Sequence, residues 1–508
     1  MAQVKKIDSN FTGLRYAEEA SPGVLPPTPV WTPLEPNSYD DFGGEVTTVA
    51  RNPINPSRQR KKGVVVDLEA TAGFEQDLTQ ENLQDLLQGF MFADMRRKNE
   101  LPSTDTTTSA YTVASGGDGY VAGDLLFAKG FDEPTNNGLK HVDSGGSATT
   151  IPVTETLVAS SGQNGTVVRV GFQFDAGDAE ISAPGGGVLP RLTTTVKDCR
   201  DFGLIPGEWI YIGGDLAVES FNTPGNNGFV RVKSVSQNEI VFDKSQGTMA
   251  DEAGGSKTIK IFFGRVLKNE TGSLIKRRTY QFERTLGAPD DANPGDLQAE
   301  YITNCIASEF TLNMQTGEIL TTEMSFLAGQ HETRTAAQGL KAGTRPQIAE
   351  ADAFNAANDV ARINLSVIDP TTSTPSNLFA YIQEGSISIN NNLSYNKAVS
   401  VLGAFDVTAG TFEVSGELTA YFTNVEAIQA VQDNADVTFD LHLVKANAGI
   451  SIDFPLLSLG DGLANVEQDE AVTLPLELQA ATGAKYDPNM DHTMLWVFYD
   501  YLPNRADT

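Results

Sequence analysis

The residues of this chain whose types and spacing could do chemistry are two acidic pairs, Asp67 with Glu69 and Glu413 with Glu417. Two carboxylates held at different pKa values can divide the work of acid and base, but the division needs an apolar enclosure around one of them. Both pairs instead lie in stretches that alternate apolar and polar residues, which puts them on the open face of a strand. They are read as an acidic surface. The histidines His141, His331, His442 and His492 stand far apart, with no second His or Cys at ligand spacing, and are read as surface or edge-strand residues. Cys199 and Cys305 are too few for a disulfide framework or a thiolate metal site, which points to a reducing compartment. Gly116-Gly117-Asp118-Gly119 and Gly185-Gly186-Gly187 lack the Lys and the strand-to-helix setting of a phosphate loop. Asp175, Asp178 and Glu180, and Asp487 with Asp491, lack the twelve-residue calcium-loop pattern and are read as solvated loops. The expectation is no catalytic residue, no metal, no cofactor, and a protein that is not an enzyme.

Such surfaces need elements to carry them. The 508 residues include 47 Gly and 24 Pro, with 40% hydrophobic and 20% charged residues, a composition that favours many short strands and several domains. A formal charge of −30 argues against gripping nucleic acid, since phosphate contacts need clustered Lys and Arg. It suits either solubility or a wall that DNA passes without sticking. With no apolar h-region at the start and no long apolar run, the chain is expected to be made in the cytoplasm and not to enter a membrane.

One strand-and-helix unit occurs twice. Val64, Val66, Leu68, Ala70, Ala72 and Phe74 alternate with polar residues, and Leu83, Leu86 and Leu87 follow at helical spacing, with Thr79 as N-cap and Gly89 as stop. Val66, Glu69, Thr71, Ala72 and Phe74 match Val414, Glu417, Thr419, Ala420 and Phe422 at one constant offset, and Val425, Ile428 and Val431 supply the second helix. Candidate strands precede both, Glu45 to Ala50 and Ser386 to Ile389. Downstream, Tyr280 to Glu283 compares with Val437 to Leu441, and Ile319 to Phe326 with Ala471 to Leu478. Agreement in order and alternation indicates duplication. The implied organisation is an extended arm over 1–40, a first module over 41–102 and 266–330, a link over 331–378, and a second module over 379–508. The insert, 103–265, carries its own echo: Gly123 to Phe127 with Asn136-Asn137-Gly138, then Gly207 to Tyr211 with Asn226-Asn227-Gly228. Asn-Gly between apolar runs is a hairpin signal, so two small β modules in tandem are expected.

The Pro-rich arm carries Tyr16 and Trp31, aromatic residues suited to docking on a neighbouring subunit. The basic cluster Arg58, Arg60, Lys61 and Lys62 precedes the acidic strand and is suited to meeting a neighbour's acidic surface.

Several segments resemble the tail tube proteins of long-tailed bacteriophages: Thr12 to Gly23, Pro33 to Tyr39, Thr48 to Ile54, and Asp77 to Phe90. The resemblance covers the chain outside the insert. It implies a mainly β fold of two β-sandwich modules, each with a short flanking helix, whose inner sheets join those of neighbours into a closed barrel. Rings then stack into a hollow tube, of the non-contractile kind, that conducts DNA into the host. A usual ring has six modules, so two per chain imply a homotrimeric, pseudo-hexameric ring. Asp67, Glu69, Glu413 and Glu417 become lumen candidates, and Tyr16, Trp31 and the basic cluster inter-ring candidates. The insert faces outward. Implied partners are further copies of the chain, the tape measure, tail tip and tail terminator proteins, and DNA passing without specific binding. The implied location is the virion tail. The rival from another class is a tail-tip adhesin that binds the host surface; a cell-surface glycan hydrolase is a second.

Overall fold

The computed structural model describes residues 12–54, 56, 59–97, 100–287, 297–335, 338–348, 351–379 and 381–507. The fold is mainly β with large antiparallel sheets, and the α-helices among the described residues are Gln84–Phe90 and Glu426–Gln432. The chain divides into two compact units, one of residues 1–93, 272–356 and 383–418, the other of 94–271, 357–382 and 419–508.

In the first unit Pro36–Ala50 and Gly63–Asp77 form a long antiparallel hairpin, and Gly63–Asp77 pairs on its other edge with Thr321–Ala328. The expected alternation holds from Leu68 onward: Ala70, Ala72 and Phe74 are buried. It fails nearer the turn, where Val64, Val65 and Val66 are all exposed, because the register slips between Thr47 and Thr48 and leaves Val66 unpaired. Gly73 has a specific reason to be Gly. A Cβ there would sit 2.0 Å from the Asp40 carbonyl oxygen, so the two strands could not approach as they do.

The core beneath is aromatic. Phe282 and Phe326 have centroids 4.7 Å apart, Phe90 and Phe326 5.1 Å, and Phe74 stacks on Phe326 at 6.2 Å. Each such pair adds about 0.5–1.5 kcal/mol beyond area burial. Leu83, Leu86 and Leu87 are fully buried, as the helical spacing requires. The helix begins later than Thr79, which exchanges hydrogen bonds with Asn82 in the turn before it (3.1 and 3.3 Å). Gly89 lies inside the helix and does not stop it; a Cβ there would meet the Tyr280 ring at 2.7 Å.

Duplication is visible in strand order. In the first unit the run is Gly13–Glu18, Tyr280–Gly287, Gln298–Gln315, Thr321–Ala328; in the second it is Val360–Val367, Val437–Lys445, Ala448–Asp461, Thr473–Ala481. All neighbours are antiparallel, and in each run the third strand is long and changes partner along its length. Asn313 opposite Thr321 recurs as the bridge between Asn465 and Thr473. Both ends of the segment read as a link are strands: Gln330–Thr335 pairs with Gln298–Gln315, and Val360–Val367 with Val437–Lys445.

The echo within residues 103–265 is also structural. Asp124–Lys129 pairs with Gly138–His141, and Trp209–Ile212 with Gly228–Val235. Asn-Gly does not form the tight hairpin turn expected of it. In each repeat the first Asn is a buried clamp: Asn136 donates to and accepts from the Val158 backbone (both 2.9 Å), and Asn226 does the same with Ala250 (3.0 and 2.9 Å). Its neighbour clasps the preceding loop, Asn137 on Phe131 and Asn227 on Phe221. Asn226→Ala would leave a buried N–H and C=O without partners, so a loss of about 1–3 kcal/mol is expected in urea unfolding, with Asn136→Ala costing a similar amount. A clear inequality between the two would mean the clamps are not equivalent.

In the second unit these strands share one core with the C-terminal segment: Trp209, Phe229 and Val266 cluster with Val444, Val497, Tyr499 and Leu502. Arg265–Lys268 pairs directly with Leu495–Tyr499.

Candidate lumen and assembly surfaces

On Gly63–Asp77 the side chains alternate, so Asp67, Glu69, Thr71, Glu75 and Asp77 share the face opposite Ala70, Ala72 and Phe74. Register carries that face across the sheet of the first unit. Glu75 lies opposite Glu323, Glu323 opposite Thr311, and Thr311 opposite Ser388. Neighbouring strands supply donors to the carboxylates: Asn37 to Asp77 (2.6 Å), Ser38 to Glu75 (3.2 Å), Asn313 to Glu323 (2.8 Å) and Asn390 to Glu309 (3.0 Å). An open groove of about 510 Å³ follows this surface, lined by Asp40, Asp41, Glu75, Glu309 and Glu323 and, among the described residues, by no Lys or Arg. Like charges directly opposite, as in Glu75 and Glu323, cost stability. Their presence needs a reason other than folding.

The four carboxylates singled out in the sequence fall on this face, with one modification. Glu413 and Glu417 are exposed while the alternate residues Val414, Gly416 and Leu418 are buried. Leu418 is on the apolar side, since a Cβ on Gly385 would touch it at 2.5 Å and Gly385 shares a face with the buried Ile387 and Ile389. Glu417 therefore points the other way, with Ser386 and Ser388. Asp67 and Glu69 are both bound by Lys397, at 2.7 Å for Glu69. The ammonium beside Asp67 holds its carboxyl below the usual range, and the two carboxylates raise Lys397. That cation is far away in sequence, so nothing local announces it. Glu75, Glu309 and Glu323, which the sequence reading missed, could be found by extending the same alternation.

Apolar residues are exposed at the hairpin end, Val46, Val49, Val64, Val65 and Val66, beside the exposed Arg60, Lys61 and Lys62. Arg58 lies outside the described residues. A second apolar tip is formed by Val399, Val401, Leu402 and Phe405 in and beside the turn joining Ser394–Lys397 to Ala404–Thr408. In the second unit Leu463 and Val466 are exposed. On Glu426–Gln432 the buried residues are Ala427 and Ala430, while Val425 is exposed and Ile428 and Val431 are only half-buried, unlike the leucines of the first helix.

Tyr16 and Trp31 are placed differently from the arm expectation. Gly13–Glu18 pairs with Tyr280–Gly287 of the same unit, and Tyr16 packs on Tyr280 and Phe282. Trp31 is fully buried, its Nε1 donating to the Ala342 carbonyl at 3.1 Å and its ring against Tyr301. Both aromatic surfaces are used inside the chain, because an extended segment with an unsatisfied edge pairs with the nearest sheet.

His442 and His492 are also not surface residues; both are fully buried. His442 Nδ1 lies 2.5 Å from Ser451 Oγ, and its Nε2 3.6 Å from Asp440, a Ser-His-Asp set in outline. All three are sealed in the second unit and the ring stacks on Phe229 at 4.3 Å, so no substrate can reach them.

A protein-family model described as phage tail tube protein matches residues 10–480. A search of curated proteins finds no match.

Proposed function

We propose a specific working form for this chain, which belongs to the family of phage tail tube proteins and is accordingly a structural subunit of the virion tail: three copies close a ring of six modules, and rings stack into a hollow tube through which DNA enters the host. The observation that carries this reading is the acidic face of the first unit's sheet, whose groove is lined by five carboxylates and, among the described residues, by no Lys or Arg. A wall of that sign repels phosphate and leaves DNA unbound as it passes. Glu75, Glu309, Glu323, Glu413 and Glu417 would face the lumen, with Asp67 and Glu69 contributing less because Lys397 neutralises them. The duplication supports three copies per ring. Val64 and Val65 at the hairpin end, with Arg60, Lys61 and Lys62, would meet the next ring, where burial of the two valines drives contact and the basic residues set register. Residues 103–265 would project outward, and the ends of the tube would meet tape measure, tip and terminator proteins.

Electron microscopy of purified protein should show hollow tubes built of three-chain rings; monomers at every salt and concentration would defeat the reading. Replacing Glu75, Glu323, Glu413 and Glu417 together by Lys should leave tubes intact while slowing DNA release by roughly tenfold, the scale on which charged channels alter transit of charged partners. Unchanged release kinetics would remove these residues from the lumen.

A further inference from the structure

The two copies of the repeated strand differ in one respect that identifies a missing partner. Val414 is 4% exposed whereas its counterpart Val66 is 53% exposed. The strands before them differ likewise. Gly44 lies opposite Ala70, and Gly385 lies against Leu418, the counterpart of Ala70, so Val46 corresponds to Ile387. Ile387 is 0% exposed and Val46 53%. What covers Ile387 is a strand: Ile382–Asn390 pairs along its outer edge with Gln298–Gln315, with Leu312 opposite Ile387 and Thr311 opposite Ser388. Among the described residues no strand pairs with the corresponding edge of Pro36–Ala50.

The other half of the missing pair is also present and also unfilled. The recurrence of Asn313 opposite Thr321 as Asn465 opposite Thr473 makes 463–467 the counterpart of Thr311 to Gln315; a one-residue slip separates this stretch from Asp461, which lies opposite Leu476. In the first copy this stretch is strand, and Met314 is 5% exposed. In the second copy the strand ends at Asp461, and Val466, the counterpart of Met314, is 73% exposed. Two edges that are buried against each other in one junction are thus both bare elsewhere in the same chain.

We infer that the junction inside the chain is the template for the junction between chains: residues 463–467 of one copy form a strand and pair antiparallel with residues 43–47 of a second copy. The register follows from the internal one, with Ala464 opposite Val46 and Leu463 opposite Thr47. The contact is head-to-tail, so it leaves one bare edge of each kind until the ring closes. On closure both of these edges are paired in every copy. This inference rests on the tube reading above and adds its partner surfaces.

The test is a chain carrying Val46→Cys and Ala464→Cys, oxidised mildly; the native Cys199 and Cys305 are buried and do not compete. The expected product is a ladder of covalent oligomers ending at a closed trimer, absent from either single variant. A control with Val46→Cys and Val466→Cys, two residues out of register, should crosslink several-fold less. Rings visible by microscopy with no crosslink, with crosslinks only inside one chain, or with better crosslinking in the control would overturn the register and leave the tube standing. Absence of any assembly would overturn both.

Discussion

Replacing Arg231 by Ala is expected to destabilise the second unit by about 3–5 kcal/mol, enough to unfold a marginal domain. Arg231 is buried, and its guanidinium donates to Asp243 at 3.0 and 2.8 Å, to Asp453 at 3.1 Å and to Thr438 at 3.1 Å. Asp453 also accepts from Trp209 Nε1 at 2.8 Å. Beside this set, Lys244 and Arg362 both bind the buried Asp440, Lys244 at 2.8 Å. Burial works against the charge on Arg231, but the two carboxylates more than compensate and raise its pKa. Removing the guanidinium leaves Asp243 and Asp453 buried without their nearest counter-charge, with only Lys244 still acting on Asp453. The cost is then their desolvation and not merely a lost bond. Combining Arg231→Met with Asp243→Leu and Asp453→Asn removes the charges together and keeps an acceptor for Trp209, so most of the loss should be recovered. Urea unfolding followed by tryptophan fluorescence measures both. If the combined variant is no more stable than the single one, the network holds the unit by geometry and not by charge balance.

None of this network was legible in the sequence, and the reason is physical. Arg231 lies in Gly228–Val235 between Val230 and Val232, and Asp453 in Ala448–Asp461 between Ile452 and Phe454, where alternation suggests a charge facing water. Both strands are covered on both faces, so the charged position is as buried as the apolar one. Alternation reports half-burial and cannot report what lies across the other face. The same limit explains His442, and Tyr16 and Trp31, whose partners Tyr280 and Tyr301 are distant in sequence. What was legible was local or repeated: the strand from Leu68 to Phe74, the leucines of the first helix, and a duplication that reappears as strand order. Val66 marks the boundary. Its match to Val414 was visible, but its exposure, caused by a slipped register and an unpaired neighbouring edge, was not.

Acidification should weaken the second unit through its buried histidines. Burial lowers the pKa of His442 from 6.5 to about 4 and that of His492 from 6.5 to about 3. The groups facing His442 divide: Asp440 favours its charged form, while Arg362 and Lys244 oppose it. Between pH 6.5 and those values the unfolded chain binds protons that the folded chain does not. Stability therefore falls as pH falls through this window, and is restored as pH rises. At about 1.4 kcal/mol per pH unit for each proton, His442 alone accounts for a loss of about 3 kcal/mol between pH 6.5 and 4. Asp440 extends the effect to lower pH: burial pushes it up, but Lys244 and Arg362 outweigh burial and hold it well below 3.8, so its contribution is lost only as pH falls below that value. Buried Glu208 and Asp453, raised by burial, oppose this trend equally in both proteins, so urea midpoints from pH 6.5 to 4 should fall more in the wild type than in His442→Gln, which cannot take up the proton. The variant starts lower at pH 7, because the ring's stacking on Phe229 is lost, so the slope and not the midpoint is the measure. An unchanged slope would mean that His442 is protonated in the folded chain, and that Asp440 prevails over burial and the two cations beside it.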